Sequence, residues 1–240
     1  MQNCTTDFFL DGQIRLFQPE KGYRVSMDPF FLCRHVEPKE DQRILDIGCG
    51  SGIMPILLAR KNPAVHITGI EIQPELARIA RCNVEANHME SRITILDKDA
   101  KKLTRPDLSG PVDLIVSNPP FKKKNSGRLN PSGQKAVARH EIELTLEDLL
   151  RQSNALLSRG GTVFLIFPAE RIPEILVLME KYRIQPAMIR FVHPRRPDPA
   201  KLVIVSGMKS GAGLPDIVSP LFIYNDRNEW TDEVKQMFSS

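Results

Sequence analysis

Short β-branched apolar runs alternate along this chain with longer stretches whose apolar residues recur every three to four positions. The runs at 43–47 (RILDI), 66–71 (HITGIE), 92–96 (RITIL), 112–117 (VDLIVS) and 162–167 (TVFLIF) read as buried strands. Two more strands are expected around 187–192 and 201–206. Helical spacing falls between them, at 53–60, 74–87, 144–157 and 172–182. Pro74 suits the first turn of its helix, Thr145 reads as an N-cap, and the Gly160-Gly161 pair reads as that helix's stop. Such alternation predicts an α/β fold: a seven-stranded, mostly parallel, Rossmann-like sheet with helices on both faces. Ligands of such sheets bind outside the carboxyl ends of the strands. The chemistry is therefore expected in the turns that follow them.

Composition narrows the class without naming a function. Hydrophobic residues make up 41% of the 240 and charged residues 26%, which excludes disorder and predicts one domain over 1–240. No apolar run approaches the roughly 20 residues of a bilayer crossing. The first residues, MQNCTTDFFLDGQIRLF, are broken by Asp7, Asp11 and Arg15 and show no secretory pattern. Cys4, Cys33, Cys49 and Cys82 have neither CxxC nor Cys/His ligand spacing, so no metal site and a reducing cytoplasm are expected. A net charge of +4 is compatible with an anionic partner and does not require one.

The turn after the first of these strands reads Asp46-Ile47-Gly48-Cys49-Gly50-Ser51-Gly52. Glycine at 48, 50 and 52 lets the chain bend sharply and lets a ligand reach main-chain N–H groups. A dinucleotide fingerprint would place its third glycine at position 53, which is Ile53, and no GxxxxGK[ST] loop is present. An acid before a GxGxG turn suits a ligand with an amino acid group, whose ammonium Asp46 can help hold. Glu71 ends the second strand, where a carboxylate can accept both hydroxyls of a ribose. Asp99, after the third, stands where an adenine amino group would be read. Cys49, inside the turn, reads as packing. This acid–glycine–acid–acid series resembles the S-adenosylmethionine (SAM) methyltransferases over about residues 40–205. The resemblance implies that Ile72 and Ala100 line the cofactor site beside these acids.

The fourth strand ends in Asn118-Pro119-Pro120-Phe121. An exocyclic amine on a base is a poor nucleophile, because its lone pair is delocalised into the ring. The Asn118 amide oxygen and the Pro119 carbonyl can accept its two N–H bonds and turn the lone pair toward a methyl group. Pro120 would stiffen the turn, and Phe121 would offer a face on which the base stacks. The tetrad resembles that of amino-methyltransferases acting on adenine N6, guanine N2 or glutamine N5, and alone it does not separate these three.

From Phe121 to His140 the chain carries Lys122, Lys123, Lys124, Arg128, Lys135 and Arg139 and no acid, as a loop gripping a nucleic-acid backbone would. A solvated face is the plainer alternative. Arg190, His193, Arg195 and Arg196 form a second basic cluster. With the 17–32 segment (FQPEKGYRVSMDPFFL), DIGCGSGI, NPPF and ARHE, the chain is similar over nearly its whole length to the bacterial tRNA adenine-N6 methyltransferases. That family modifies the adenine 3′ of the anticodon in a valine tRNA. The resemblance implies that residues 1–40 form an extension bordering the cofactor site, with Tyr23, Arg24 and Asp28 near the methionine end. An Arg24–Asp28 salt bridge is the structural alternative. It also implies RNA contacts by the basic loop, His140, Arg195 and Arg196. Rival readings are a guanine-N2 ribosomal RNA methyltransferase, for whose extra domain this chain has no room, and a protein-glutamine methyltransferase, whose tetrad is usually NPPY. A third is a non-catalytic RNA-binding module, against which intact Asp46, Glu71 and Asn118 weigh.

Overall fold

The structure, a computed structural model, describes residues 4–22, 24–119 and 144–239. The chain opens on an antiparallel hairpin, β1 (Cys4–Phe9) and β2 (Ile14–Pro19), followed by α1 (Asp28–Arg34). Then come β3 (Arg43–Ile47), α2 (Ile53–Lys61), β4 (His66–Glu71), α3 (Pro74–Ala86), β5 (Ile93–Asp97) and β6 (Val112–Ser117). The second half holds α4 (Leu146–Leu156), β7 (Leu157–Pro168), α5 (Ile172–Lys181), β8 (Ile184–His193) and β9 (Leu202–Lys209). Two short strands, β10 (Asp216–Ile217) and β11 (Leu221–Phe222), and the helix α6 (Asp232–Phe238) complete it.

The main sheet runs β10-β8-β9-β7-β6-β3-β4-β5, with β11 also on β8. Its seven long strands are the seven expected, and β10 and β11 bring the sheet to nine strands among the described residues. The β5-β4-β3-β6-β7 pairs are parallel, whereas β9 lies antiparallel between β7 and β8. The link from β8 to β9 is too short for a crossover helix, so the chain can only return antiparallel. Successive strand residues feed opposite layers: Ile44, Leu114 and Val116 pack toward α1, α2 and α3, and Leu45 and Ile115 toward α4 and α5. The order reverses at β3, which has β4 on one side and β6 on the other. In open α/β sheets ligands bind outside the carboxyl ends of the strands at such a switch point, here those of β3 and β6.

Local signals explain most boundaries. Pro74 does open α3, and Thr145 does cap α4, its hydroxyl accepting from the Asp148 N–H at 3.0 Å. The Gly160-Gly161 pair is not a helix stop. Helix α4 ends at Leu156 and β7 begins at once, passing through both glycines where its register with β6 shifts. Gly160 has φ +78, and a Cβ on Gly161 would lie 3.1 Å from the Asp113 carbonyl oxygen, so the pair lets the strand bulge against β6.

One buried polar network ties three elements together. Arg190, only 7% exposed, donates to the Ser219 carbonyl (2.9 Å), to Glu233 of α6 (2.8 Å) and to His35 Nε2 (2.9 Å). His35 Nδ1 then donates to the Phe31 carbonyl (2.7 Å), an arrangement that requires the neutral ring. Burial holds the His35 pKa below its ordinary value, and the Arg190 charge adds to the shift. The folded protein therefore binds fewer protons here than the unfolded chain. Its contribution is fully present above the unfolded imidazole value of about 6.5 and is lost as pH falls below that. Chemical unfolding at pH 7.5 and 5.5 should show wild type losing stability at the lower pH and His35→Gln losing less. An equal loss in both would place the acid sensitivity elsewhere.

Candidate active site

The residues singled out at the strand ends lie at the carboxyl ends of the adjacent parallel strands β6, β3, β4 and β5. Asp46 pairs in register with Gly69 of β4 and with Val116 of β6, so it stands between the ends of both neighbours. The glycine turn is fastened from two sides. Gly48 and Cys49 donate their N–H groups to the Ile70 carbonyl at 2.9 and 3.0 Å. On the β6 side, the fully buried Ser117 donates its hydroxyl to the Ile47 carbonyl at 2.7 Å. At Gly52 (φ +87) a Cβ would meet Ala80 of α3 at 3.2 Å, so this glycine lets α2 start against α3. Cys49 is buried next to Gly69 and packs, as expected.

Asp46 is fully buried, and among the described residues neither carboxylate oxygen has a hydrogen-bond partner; the same holds for the Ser51 hydroxyl. Burial pushes the Asp46 carboxyl well above the usual carboxylate range, and the Glu71 charge adds to the rise. Buried polar groups are normally satisfied, so two oxygens left without a partner at the carboxyl end of β3 suit a cationic ligand group. Gly48 (φ +78) has no atom within 4 Å of where its Cβ would sit, which leaves room beside the backbone. These features fit a ligand with an ammonium group.

Glu71 does more than its sequence position suggested. Its two oxygens accept from the Gly50 N–H and the Gln73 N–H, each at 2.9 Å, so it stitches the turn to the start of α3. Each oxygen keeps a further lone pair for a ligand hydroxyl. Ile72 beside it is half-buried. Asp99 accepts from the Lys101 N–H at 2.9 Å and caps a short helical turn, with Ala100 buried behind it. Asn118 and Pro119 follow β6 directly, the first half-buried and the second buried.

Other expected residues lie apart or outside. Arg24 does not pair with Asp28: its guanidinium bonds Asp7 (2.6 Å) and the Thr5 hydroxyl (2.8 Å), both on β1. Asp28 opens α1, where burial raises its pKa. Arg190 is committed to the network around His35. Arg195 and Arg196 are exposed beyond β8, each over an aromatic ring, Tyr224 at 5.5 Å and Phe222 at 5.4 Å. Tyr23, Pro120, Phe121 and the whole basic run, Lys122, Lys123, Lys124, Arg128, Lys135, Arg139 and His140, fall outside the described residues. Among the described residues no cluster of His, Cys, Asp and Glu is arranged to hold a metal ion, and no helix is long and apolar enough to cross a membrane.

The methyltransferase small domain family matches residues 27–181, a span that takes in the glycine turn, Glu71, Asp99 and Asn118. The chain belongs to this family. Its relatives include the tRNA1(Val) (adenine(37)-N6)-methyltransferase of Porphyromonas gingivalis strain W83, 39% identical over 185 residues, 75% of this chain and 72% of that protein. The protein of the same name from Aeromonas hydrophila is 31% identical over 192 residues, 80% of this chain and 78% of its own. Among solved structures, a predicted O-methyltransferase from Agrobacterium tumefaciens superposes with a TM-score of 0.70 at 22% identity, covering 87% of this chain and 94% of that one. TrmN from Thermus thermophilus gives 0.53 at 22% identity, covering 75% of this chain and 48% of that one. At such identities the solved structures speak for the fold alone. The chain is a methyltransferase, and the family expected from the sequence is the one its relatives represent.

Proposed function

We propose that this chain transfers a methyl group from SAM to the exocyclic N6 amine of an adenine in tRNA, beside the anticodon. The observation that carries the reading is the adjacency at the switch point of Asp46, whose two oxygens have no partner among the described residues, and the Asn118-Pro119 turn. The shared name of its relatives supports adenine as the acceptor and tRNA1(Val) as its carrier. Asp46 would bind the ammonium group of SAM, the glycine turn its backbone-facing side, Glu71 the ribose hydroxyls and Asp99 the adenine amine. When bound, SAM supplies an electrophilic methyl group on a sulfonium.

The chain's own part is positioning. Asn118 Oδ1 and the Pro119 carbonyl accept the two N–H bonds of the target amine, aiming its lone pair at the methyl group. The methylated amine sheds a proton readily, so no strong base is needed. Phe121 would stack the base, and a loop base would be cheaper to extrude than a paired one. Lys122 through His140 and the pair Arg195 and Arg196 would grip the RNA backbone. β8 runs parallel to β6 and ends on the same edge, about 14 Å away at roughly 4.8 Å per strand. We place this work in the cytoplasm and in a single domain.

Incubating the protein with methyl-labelled SAM and offering tRNA, ribosomal RNA or protein separates the rivals. Label is expected in tRNA. Label confined to ribosomal RNA or protein would overturn the acceptor assignment.

A further inference from the structure

Two asparagines lie one turn apart, Asn83 in α3 and Asn87 at its C-cap, on a face otherwise occupied by Ala77, Ala80 and Val84. Asn83 is fully buried and makes three hydrogen bonds. Its oxygen accepts from the Phe17 N–H at 2.6 Å, and its amide donates to the Phe17 carbonyl at 2.9 Å and to the Ser51 carbonyl at 2.8 Å. Asn87 repeats the first half of this pattern on Arg15, accepting from its N–H at 3.1 Å and donating to its carbonyl at 2.7 Å. The second donor contact of Asn87 returns to its own helix, at the Asn83 carbonyl.

The spacing explains the match. Residues four apart on a helix are separated by roughly 6 Å along its axis. Residues two apart on a strand are separated by about 6.8 Å. Two asparagines at i and i+4 can therefore serve the backbone groups of Arg15 and Phe17 in turn, as a neighbouring strand would. The free edge of β2 is paired by side chains, and the hairpin is docked on α3. Only Asn83 goes further and reaches the glycine turn.

We propose that Asn83 is a positioning residue for the methyl donor, coupling the docked N-terminal hairpin to the glycine turn through the Ser51 carbonyl. The proposal rests on the donor binding at that turn. Ser51 lies between Gly50, whose N–H is held by Glu71, and Gly52, which packs on α3. A turn held at all three residues presents its N–H groups in one arrangement. Freeing the Ser51 carbonyl lets that arrangement relax, so donor affinity falls, while the Asn118 turn after β6 is untouched.

The comparison of Asn83→Ala with Asn87→Ala separates this role from simple hairpin docking, because each removes two bonds to β2 and only the first removes the bond to the turn. Calorimetry should show SAM affinity falling about tenfold in Asn83→Ala, the worth of one buried hydrogen bond, and staying within about twofold in Asn87→Ala. In turnover, the KM for SAM should rise more than kcat falls in Asn83→Ala. Amide exchange at residues 48–52 without donor should quicken in Asn83→Ala alone. If Asn83→Ala does not fold, Asn83→Ser, which leaves a small hydroxyl in the buried site and sets no charge against the Phe17 and Ser51 carbonyls, allows the same comparison. Unchanged affinity and exchange in the Asn83 variant, or an equal effect in both variants, would overturn the coupling. A wild type that binds no SAM, with exchange still quickened by Asn83→Ala alone, would overturn the functional reading and leave the coupling standing.

Discussion

Asn118→Ala will slow methylation of tRNA by about 100- to 1,000-fold, the range found when one preorganised hydrogen-bonding group is removed from a transition state. SAM affinity will stay within about twofold. The asymmetry follows from placement. Asn118 stands beyond the end of β6, whereas the groups assigned to the donor lie on the turns after β3, β4 and β5. Its backbone is set by Ser117, anchored to the Ile47 carbonyl at 2.7 Å, and by the buried Pro119, so truncating the side chain leaves the turn in place. What is lost is an acceptor that turns the amine lone pair out of conjugation. Single-turnover rates at saturating SAM and tRNA read this directly. A variant keeping most of the wild-type rate would remove Asn118 from the chemistry.

Glu71→Ala is the second large effect, and it falls on the donor instead. The carboxylate accepts from Gly50 and Gln73 inside a buried environment, so its removal strips two backbone N–H groups of their partner as well as deleting the proposed ribose contact. SAM affinity is expected to drop by roughly 10- to 100-fold. Glu71→Gln should fall between, since its amide keeps one acceptor oxygen and opposes the other N–H with a donor. Unchanged affinity by calorimetry in Glu71→Ala would mean that the ribose is held elsewhere.

What could be read from the sequence was local chemistry with a short period. The β-branched runs and the DIGCGSG turn state their own geometry, and the seven long strands and the position of Asp46, Glu71, Asp99 and Asn118 at the carboxyl ends of neighbouring parallel strands follow from them. What could not be read depends on partners distant along the chain. Arg190 sits among basic residues and reads as a surface charge, until Glu233, 43 positions later, and His35, 155 earlier, close around it. Arg24 finds Asp7 across the hairpin, which nothing in its own segment announces. The hairpin carried a signal, Asp11-Gly12 at its turn before the alternating Ile14-Arg15-Leu16, and Gly12 indeed has φ +86 there. Its docking did not, because it runs through asparagine side chains 66 and 72 positions away. Two asparagines at i and i+4 on the apolar face of an amphipathic helix were the available clue. The Gly160-Gly161 pair shows the converse, since a glycine pair marks a bulge as readily as a helix end.

Nucleoside analysis of tRNA after incubation with the protein and methyl-labelled SAM identifies the acceptor atom. Label is expected to elute as N6-methyladenosine, and Asn118→Ala is expected to remove it. Label in N2-methylguanosine, or tRNA left unlabelled by a protein that binds SAM, would contradict the assignment of adenine N6.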